Sequence, residues 1–168
     1  MKNGARLKLV QTGGSSGSIV PASLQDTPLD FESWRKAGVS LGSGALLFCD
    51  EHTCVVDLAK TILNFFQYEC CAKCVPCRTG THRLYQIIND ISIGKGTFES
   101  LAEMQSLGLD MEILSNCGLG QTASVAVRDI LKHFRAEVEE HIRDGYCQAG
   151  VCKIIKNQPV VANEAVNA

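Results

Sequence analysis

Three cysteines within seven residues constrain this chain more than any other feature. Cys71, Cys74 and Cys77 form a Cys-x-x-Cys-x-x-Cys run inside Cys70-Cys71-Ala72-Lys73-Cys74-Val75-Pro76-Cys77-Arg78-Thr79-Gly80. That spacing lets three thiolates converge on three corners of one compact inorganic core while the intervening backbone amides turn toward its sulfurs. A fourth ligand has to come from elsewhere. Cys117, forty residues beyond Cys77 in Ser115-Asn116-Cys117-Gly118-Leu119-Gly120, is the natural candidate, because a cubane iron–sulfur cluster requires a tetrathiolate shell. The expected cofactor is a [4Fe-4S] cluster held by Cys71, Cys74, Cys77 and Cys117. Zinc and disulfides are the competing readings. Structural zinc prefers separated Cys-x-x-Cys pairs or Cys/His mixtures. Four cysteines in eight residues are too crowded for several unstrained bridges, and the start of the chain does not read as a secretory signal.

Composition narrows the partners. Sixteen basic and eighteen acidic residues give a net charge of −2 with no long basic run, so neither nucleic acid nor an anionic membrane is expected as the main partner. No eighteen-residue apolar span appears, which argues against a direct membrane span. The expected location is the cytoplasm, where nine cysteines point to metal rather than cross-links.

Along the chain, residues 6–10 alternate polar and apolar side chains as a half-buried strand does. The glycine-rich stretch at 12–18 lacks the Lys-Ser or Lys-Thr pair of a phosphate loop and reads as a hairpin or loop connection. Gly42-Ser43-Gly44 has two glycines of a dinucleotide fingerprint without the third, and strand-like residues follow it. Between them, Asp30-Phe31-Glu32-Ser33-Trp34-Arg35-Lys36 reads as one short helix carrying the only tryptophan. Residues 1–49 thus form a small α+β unit with few strands. From Thr53 the period becomes helical, with Val55, Ala59, Ile62 and Phe66 on one stripe and Thr53 or Asp50 as the expected cap. Leu84, Ile87, Ile88 and Ile91 mark a second helix. Phe98, Leu101 and Met104 mark the inner face of a third, starting near Thr97. A long fourth carries Val127, Ile130, Leu131, Phe134, Val138 and Ile142. Four amphipathic helices with short connections argue a bundle. Three divisions are expected: 1–49, the helical unit at 50–146, and a cysteine-containing segment at 147–168 whose tail from Asn157 is frayed.

Two further features bear on chemistry. Cys117 precedes what reads as the longest helix, whose positive dipole end would offset the charge of the thiolates; Lys73 and Arg78 flank individual thiolates, and Pro76 fixes the turn between the second and third. His141 falls on the fourth helix's apolar stripe, with Cys147 and Cys152 six and then five residues on. A histidine on an apolar face is commonly a satisfied core residue, but two nearby cysteines leave it one ligand short of a structural zinc site. Cys54, at the start of the first helix, completes the candidate set Cys54, His141, Cys147 and Cys152 if these helix ends pack together. Cys49 and Cys70 remain as thiols outside both sets.

These motifs resemble the NADH-binding flavoprotein subunit of respiratory complex I and, more closely, the diaphorase subunits of NAD-linked hydrogenases and formate dehydrogenases. The resemblance rests on Val10-Gln11-Thr12-Gly13-Gly14, Gly42-Ser43-Gly44, Asp50-Glu51, the run from Cys71 to Gly80 and Cys117-Gly118-Leu119-Gly120-Gln121-Thr122. The ending Cys147-Gln148-Ala149-Gly150-Val151-Cys152-Lys153 looks like the hydrogenase version. It implies an α+β, mainly α fold: a partial ubiquitin-like β-grasp unit of the ligand-binding type, then a four-helix bundle carrying the [4Fe-4S] cluster on the four cysteines named. It also implies a zinc near the end of the bundle. In such subunits the cluster receives single electrons from FMN, which NADH reduces.

The glycine-rich loops by which the family binds FMN and NADH have no counterpart in this sequence, so neither FMN nor NAD is expected to be bound by it, and no complete hydride-transfer site is expected. Cys70 stands where the family usually has a small hydroxyl residue, and Ala72 where it has glycine. The expected function is an electron-transfer subunit or fragment of an NAD(P)H-linked oxidoreductase. Its implied partners are an FMN/NADH-binding subunit, a thioredoxin-like [2Fe-2S] subunit, and a hydrogenase or formate dehydrogenase type catalytic subunit. The alternatives are part of a split NADH dehydrogenase that works only with a separate FMN subunit, and a metal-stapled structural subunit.

Overall fold

The computed structural model describes residues 4–155; the segment from Asn157, expected to fray, lies outside them. The first strand, β1 (Leu7–Thr12), is central in an antiparallel sheet of order β2-β1-β3, with β2 at Ile19–Pro21 and β3 at Leu46–Asp50. The glycine-rich stretch after Thr12 is the connection of a hairpin, as its composition suggests. Its real constraint is packing: a Cβ on Gly13 would lie 2.9 Å from the Cα of Gly42, and Gly13 and Gly42 both adopt positive φ. The two motifs that mimic nucleotide loops are thus two backbones pressed against each other. Helix α1 (Phe31–Lys36) starts at Asp30, whose carboxylate accepts the Ser33 N–H at 2.8 Å.

The remainder is helical: α2 (Val55–Glu69), α3 (Val75–Ser92), α4 (Phe98–Leu114), α5 (Gly118–Thr122), α6 (Val125–His133) and α7 (Arg135–Arg143). The apolar stripes expected on α2 and α3 face inward: Val55, Ala59, Ile62, Phe66, Leu84, Ile87, Ile88 and Ile91 are all buried. Helix α4 opens with a reciprocal Thr97/Ser100 capping box, and Leu101 and Met104 are buried. Phe98, expected inward, is 47% exposed because it sits at the first position of the helix, before its buried face begins.

Two local expectations are corrected. The fourth rod is not continuous: Phe134 takes φ −129° and ψ 24°, ending α6 and starting α7, so the apolar stripe is carried by two helices. The break lets Val127, Ile130 and Leu131 face the core from one segment while Val138 and His141 do so from the next. Helix α2 is capped neither by Thr53 nor by Asp50. Its N-cap is Cys54, without a side-chain cap bond, and the Val55 N–H is instead received by the Glu137 carboxylate of α7 at 3.1 Å. A carboxylate eighty-two positions away in the chain substitutes for the local cap.

The sheet does not stand apart from the bundle. Leu9, Ile19 and Cys49 belong to the same contiguous core as the buried residues of α2, α3, α4, α6 and α7. The Asp129 carboxylate of α6, itself buried, accepts the Ile19 N–H of β2 at 3.0 Å. In β3, an edge strand, both Leu47 and Phe48 are exposed.

Candidate metal centres

The cysteine run lies where helix ends meet. Cys70 is the C-cap of α2, Cys74 is the N-cap of α3, Cys77 sits buried in the first turn of α3, and Cys117 is the N-cap of α5. Between Cys70 and Cys74 the chain reverses through Ala72, the one described non-glycine residue at positive φ (59°). The remote loop closes on this turn. The backbone N–H groups of Asn116 and Cys77 point at the Cys74 sulfur and hold its thiol below the ordinary range. Burial, followed by the Cys70 thiol and the nearby Cys74 and Cys117 sulfurs, pushes Cys77 up to about 12.

Cys74, Cys77 and Cys117 therefore lie close together. The structure adds a thiol that was set aside: the Cys70 Sγ lies 3.4 Å from the Cys77 Sγ. Cys71 is exposed at the same turn. Its sulfur makes no hydrogen bond among the described residues.

Two details correct the electrostatic reading. Cys117 caps a helix of five residues, not the longest one; the long helix that starts at the site is α3, with eighteen residues and Pro76 in its first turn. The positive helix end facing the thiols is that of α3. Arg78 is occupied structurally, since its Nη1 donates to the Ala72 carbonyl at 3.2 Å across the turn, while Lys73 is exposed. Helix α5 is seated tightly: a Cβ on Gly120 would lie 2.9 Å from the Cβ of Cys77 and 2.6 Å from that of Ser115. The Ser115 hydroxyl, buried in this crevice, has no hydrogen-bond partner among the described residues. Several thiols, aimed amides and a helix N-terminus form a donor set that suits an anionic iron–sulfur core.

The second group assembles without qualification. The ligand atoms of Cys54, His141, Cys147 and Cys152 all lie within 4.8 Å of one another. Cys54 Sγ is 3.3 Å from His141 Nε2 and 3.6 Å from Cys152 Sγ. For one tetrahedral ion with metal–sulfur bonds of about 2.3 Å and a metal–nitrogen bond of about 2.0–2.1 Å, those separations would be about 3.6 and 3.8 Å. The pocket fits a single ion and is too tight for a cluster. His141 is fully buried, and its Nδ1–H donates to the Glu137 carbonyl at 2.8 Å, which turns Nε2 and its lone pair toward the thiols.

The charges fit the same purpose. The Cys152 thiol beside it and the His141 ring, acting against burial, hold Cys54 down to about 4. Burial opposes a charged His141, but the bonds to Cys54 and the Glu137 carbonyl lift it to about 9. Burial also opposes a thiolate at Cys147, yet the Cys152 and Val151 N–H groups and the His141 ring bring it below its ordinary value. Cys152 is raised by the Cys54 thiolate and by burial.

Sequence reasoning missed Glu137. Its backbone carbonyl orients His141, one carboxylate oxygen caps α2 beside Cys54, and the other pairs with Lys8 of β1 at 2.7 Å. The only signal was its position one turn before His141.

Helix ends gathered on a group of thiols at one end of α2, with a Cys3His set at its other end, define a metal-binding helical module of the iron–sulfur class. Residues 57–141 match the family described as the NADH-ubiquinone oxidoreductase-F iron-sulfur binding region, and the chain belongs to that family. Among curated relatives it is 39% identical over 150 residues to NADP-reducing hydrogenase subunit HndC of Solidesulfovibrio fructosivorans, covering 89% of this chain and 31% of the relative. It is 40% identical over 147 residues to an NADH-quinone oxidoreductase subunit of type F from Streptomyces coelicolor, covering 88% and 33%. An NAD+-reducing [NiFe]-hydrogenase in the H2-reduced state superposes with a TM-score of 0.75 at 30% identity, over 83% of this chain and 24% of the hydrogenase chain. The chain thus spans about a third of the length of these curated relatives, and its mainly helical fold is that of their iron–sulfur region. Among the described residues no helix is long and apolar enough to cross a membrane.

Proposed function

We propose that this chain is an electron-transfer module that relays single electrons between a flavin-bearing, NAD(P)H-linked partner and another redox subunit. The observation that carries this reading is the convergence of Cys74, Cys77 and Cys117 from two distant segments inside a region matched by an iron–sulfur family. Cys71, Cys74, Cys77 and Cys117 are the proposed ligands. A [4Fe-4S] cluster bound there supplies one-electron oxidation and reduction without bond chemistry on a substrate. The protein's share is electrostatic: the Asn116 and Cys77 amides and the start of α3 offset negative charge, and the burial of Cys77 keeps water from one side. Cys54, His141, Cys147 and Cys152 are proposed to hold a structural zinc. Three sulfurs and one nitrogen fill a tetrahedral shell, leaving no position for a substrate.

FMN and NAD are proposed to sit on a partner. The close approach of the two loops at Gly13 and Gly42, which gives those glycines a packing role, supports this. The proposed partners are an FMN/NADH-binding subunit, a thioredoxin-like [2Fe-2S] subunit and a hydrogenase or formate dehydrogenase type catalytic subunit, working in the cytoplasm. The proposed divisions are 1–49, 50–146 and 147–168, with the relay in the second.

The test is anaerobic. Dithionite should bleach the iron–sulfur absorbance of the isolated chain reversibly and produce a paramagnetic signal, whereas NADH plus FMN should not. Reduction by NADH and FMN alone would favour a chain that completes a hydride-transfer site. Protein that holds iron but cannot be reduced and reoxidised would leave only a structural staple.

A further inference from the structure

Two thiols touch at the proposed cluster site, one fixed and one able to move. The Cys70 Sγ lies 3.4 Å from the Cys77 Sγ. Cys77 is the fixed partner: it is buried in the first turn of α3, and a Cβ on Gly120 of α5 would come within 2.9 Å of its own Cβ. Cys70 is the half-buried C-cap of α2, extended at φ −65° and ψ 120°, and its sulfur receives the Ala72 N–H at 3.4 Å. The reversal at Ala72 brings the end of α2 back over the start of α3 with these two sulfurs in contact.

We propose that Cys70 and Cys77 form a reversible disulfide when the site holds no cluster, and that this bond closes the site to iron. The closing of the site rests on the [4Fe-4S] reading above, in which Cys77 is a ligand; the bond itself rests on the contact alone. A disulfide needs its sulfurs about 2.05 Å apart, so a closing of about 1.4 Å remains. Rotation of the Cys70 side chain at its helix end supplies it.

The step is thiol–disulfide exchange with a small-molecule disulfide such as oxidised glutathione. The Cys70 sulfur attacks first, breaking the oxidant's S–S bond, forming a mixed disulfide and releasing one glutathione thiol. The Cys77 sulfur then attacks the Cys70 sulfur, forming the protein disulfide and expelling the second glutathione. Two protein thiols are oxidised, one small-molecule disulfide is reduced to two thiols, and both protons pass from the protein thiols to the glutathione sulfurs. Exclusion runs in both directions. With Cys77 in a disulfide, only three of the proposed ligand sulfurs remain, one short of the tetrathiolate shell of a cubane. With Cys77 bound to iron, Cys70 loses the partner it touches. A transient, redox-sensing bond of this kind also suits a reducing compartment.

The experiment exposes iron-free and iron-loaded full-length chain briefly to mixed oxidised and reduced glutathione, blocks free thiols by alkylation, and maps the linkage by mass spectrometry of a non-reduced tryptic digest. Cleavage after Lys73 and Arg78 puts Cys70 and Cys71 on one peptide and Cys74 and Cys77 on the next, and fragmentation tells the members of each pair apart. The iron-free chain should carry the Cys70–Cys77 link and the loaded chain should not. Iron uptake by oxidised wild type should drop from about four per chain to nearly none and return with dithiothreitol, while Cys70→Ser treated in the same way should keep most of its uptake. A bond from Cys71 or to Cys74, no bond at all, or a Cys70→Ser chain as sensitive as wild type would overturn the proposal and leave the cluster reading standing. Fully reduced wild type that binds no iron would overturn the cluster reading and the closing of the site with it; the mapped bond is read without iron and without any variant.

Discussion

Glu137 is the residue whose removal should be felt furthest. Its carboxylate bridges Lys8 of β1 and the Val55 N–H at the start of α2, and the two charged side chains are 15% and 11% exposed. Glu137→Ala leaves the Lys8 ammonium largely buried with only the Thr53 carbonyl beside it. Breaking a buried pair from one side costs about 3–5 kcal/mol, and loss of the α2 cap adds about 1 kcal/mol. With a urea m-value of about 2 kcal/mol/M, the unfolding midpoint should fall by about 2–3 M. Glu137→Gln, which keeps an acceptor for Val55 and loses only the charge, should fall about half as far. The control is Lys8→Met with Glu137→Ala: removing both charges should recover much of the loss, because no unpaired charge stays buried. Urea titrations followed by circular dichroism, at identical metal loading because bound metal itself stabilises the fold, provide the measurement. A loss below about 1 kcal/mol for Glu137→Ala, or a double variant whose loss equals the sum of its singles, would refute the clamp.

Three other outcomes are expected. His141→Ala should reduce zinc from about one per chain to nearly none while leaving about four irons; joint loss of both metals would show the two sites to be one folding unit. In metal-free protein, Cys54, depressed to about 4, loses its stabilising charge only as pH falls through about 4, and His141, raised to about 9, loses its own as pH rises through about 9. The ultraviolet thiolate band should therefore persist well below neutral pH, and its disappearance near pH 8 on acidification would contradict the pairing. Gly120→Ala should cost about 1–3 kcal/mol from overpacking against Ser115 and Cys77 and lower iron loading, measured by midpoint shift and iron analysis.

Much of the chemistry is legible in the order of residues alone. The spacing of Cys71, Cys74 and Cys77 limits what can bind whatever the fold, because thiolates three residues apart on a turning backbone can share one compact core. Helical periodicity identifies the buried faces of α2 and α3, since one side of an isolated amphipathic helix has nowhere else to go. The Cys54, His141, Cys147 and Cys152 set is legible only conditionally, as it requires the ends of α2 and α7 to meet.

Tertiary structure decided what depends on distance through space. The cap given to α2 by Glu137 comes from a segment far away in sequence, and no local pattern encodes such a partner. The same holds for Cys70. Its neighbour in sequence is Cys71, but its neighbour in space is Cys77, because the chain reverses at Ala72. Residue type and spacing select the metal chemistry open to this protein; the fold selects which sulfurs stand within reach of it.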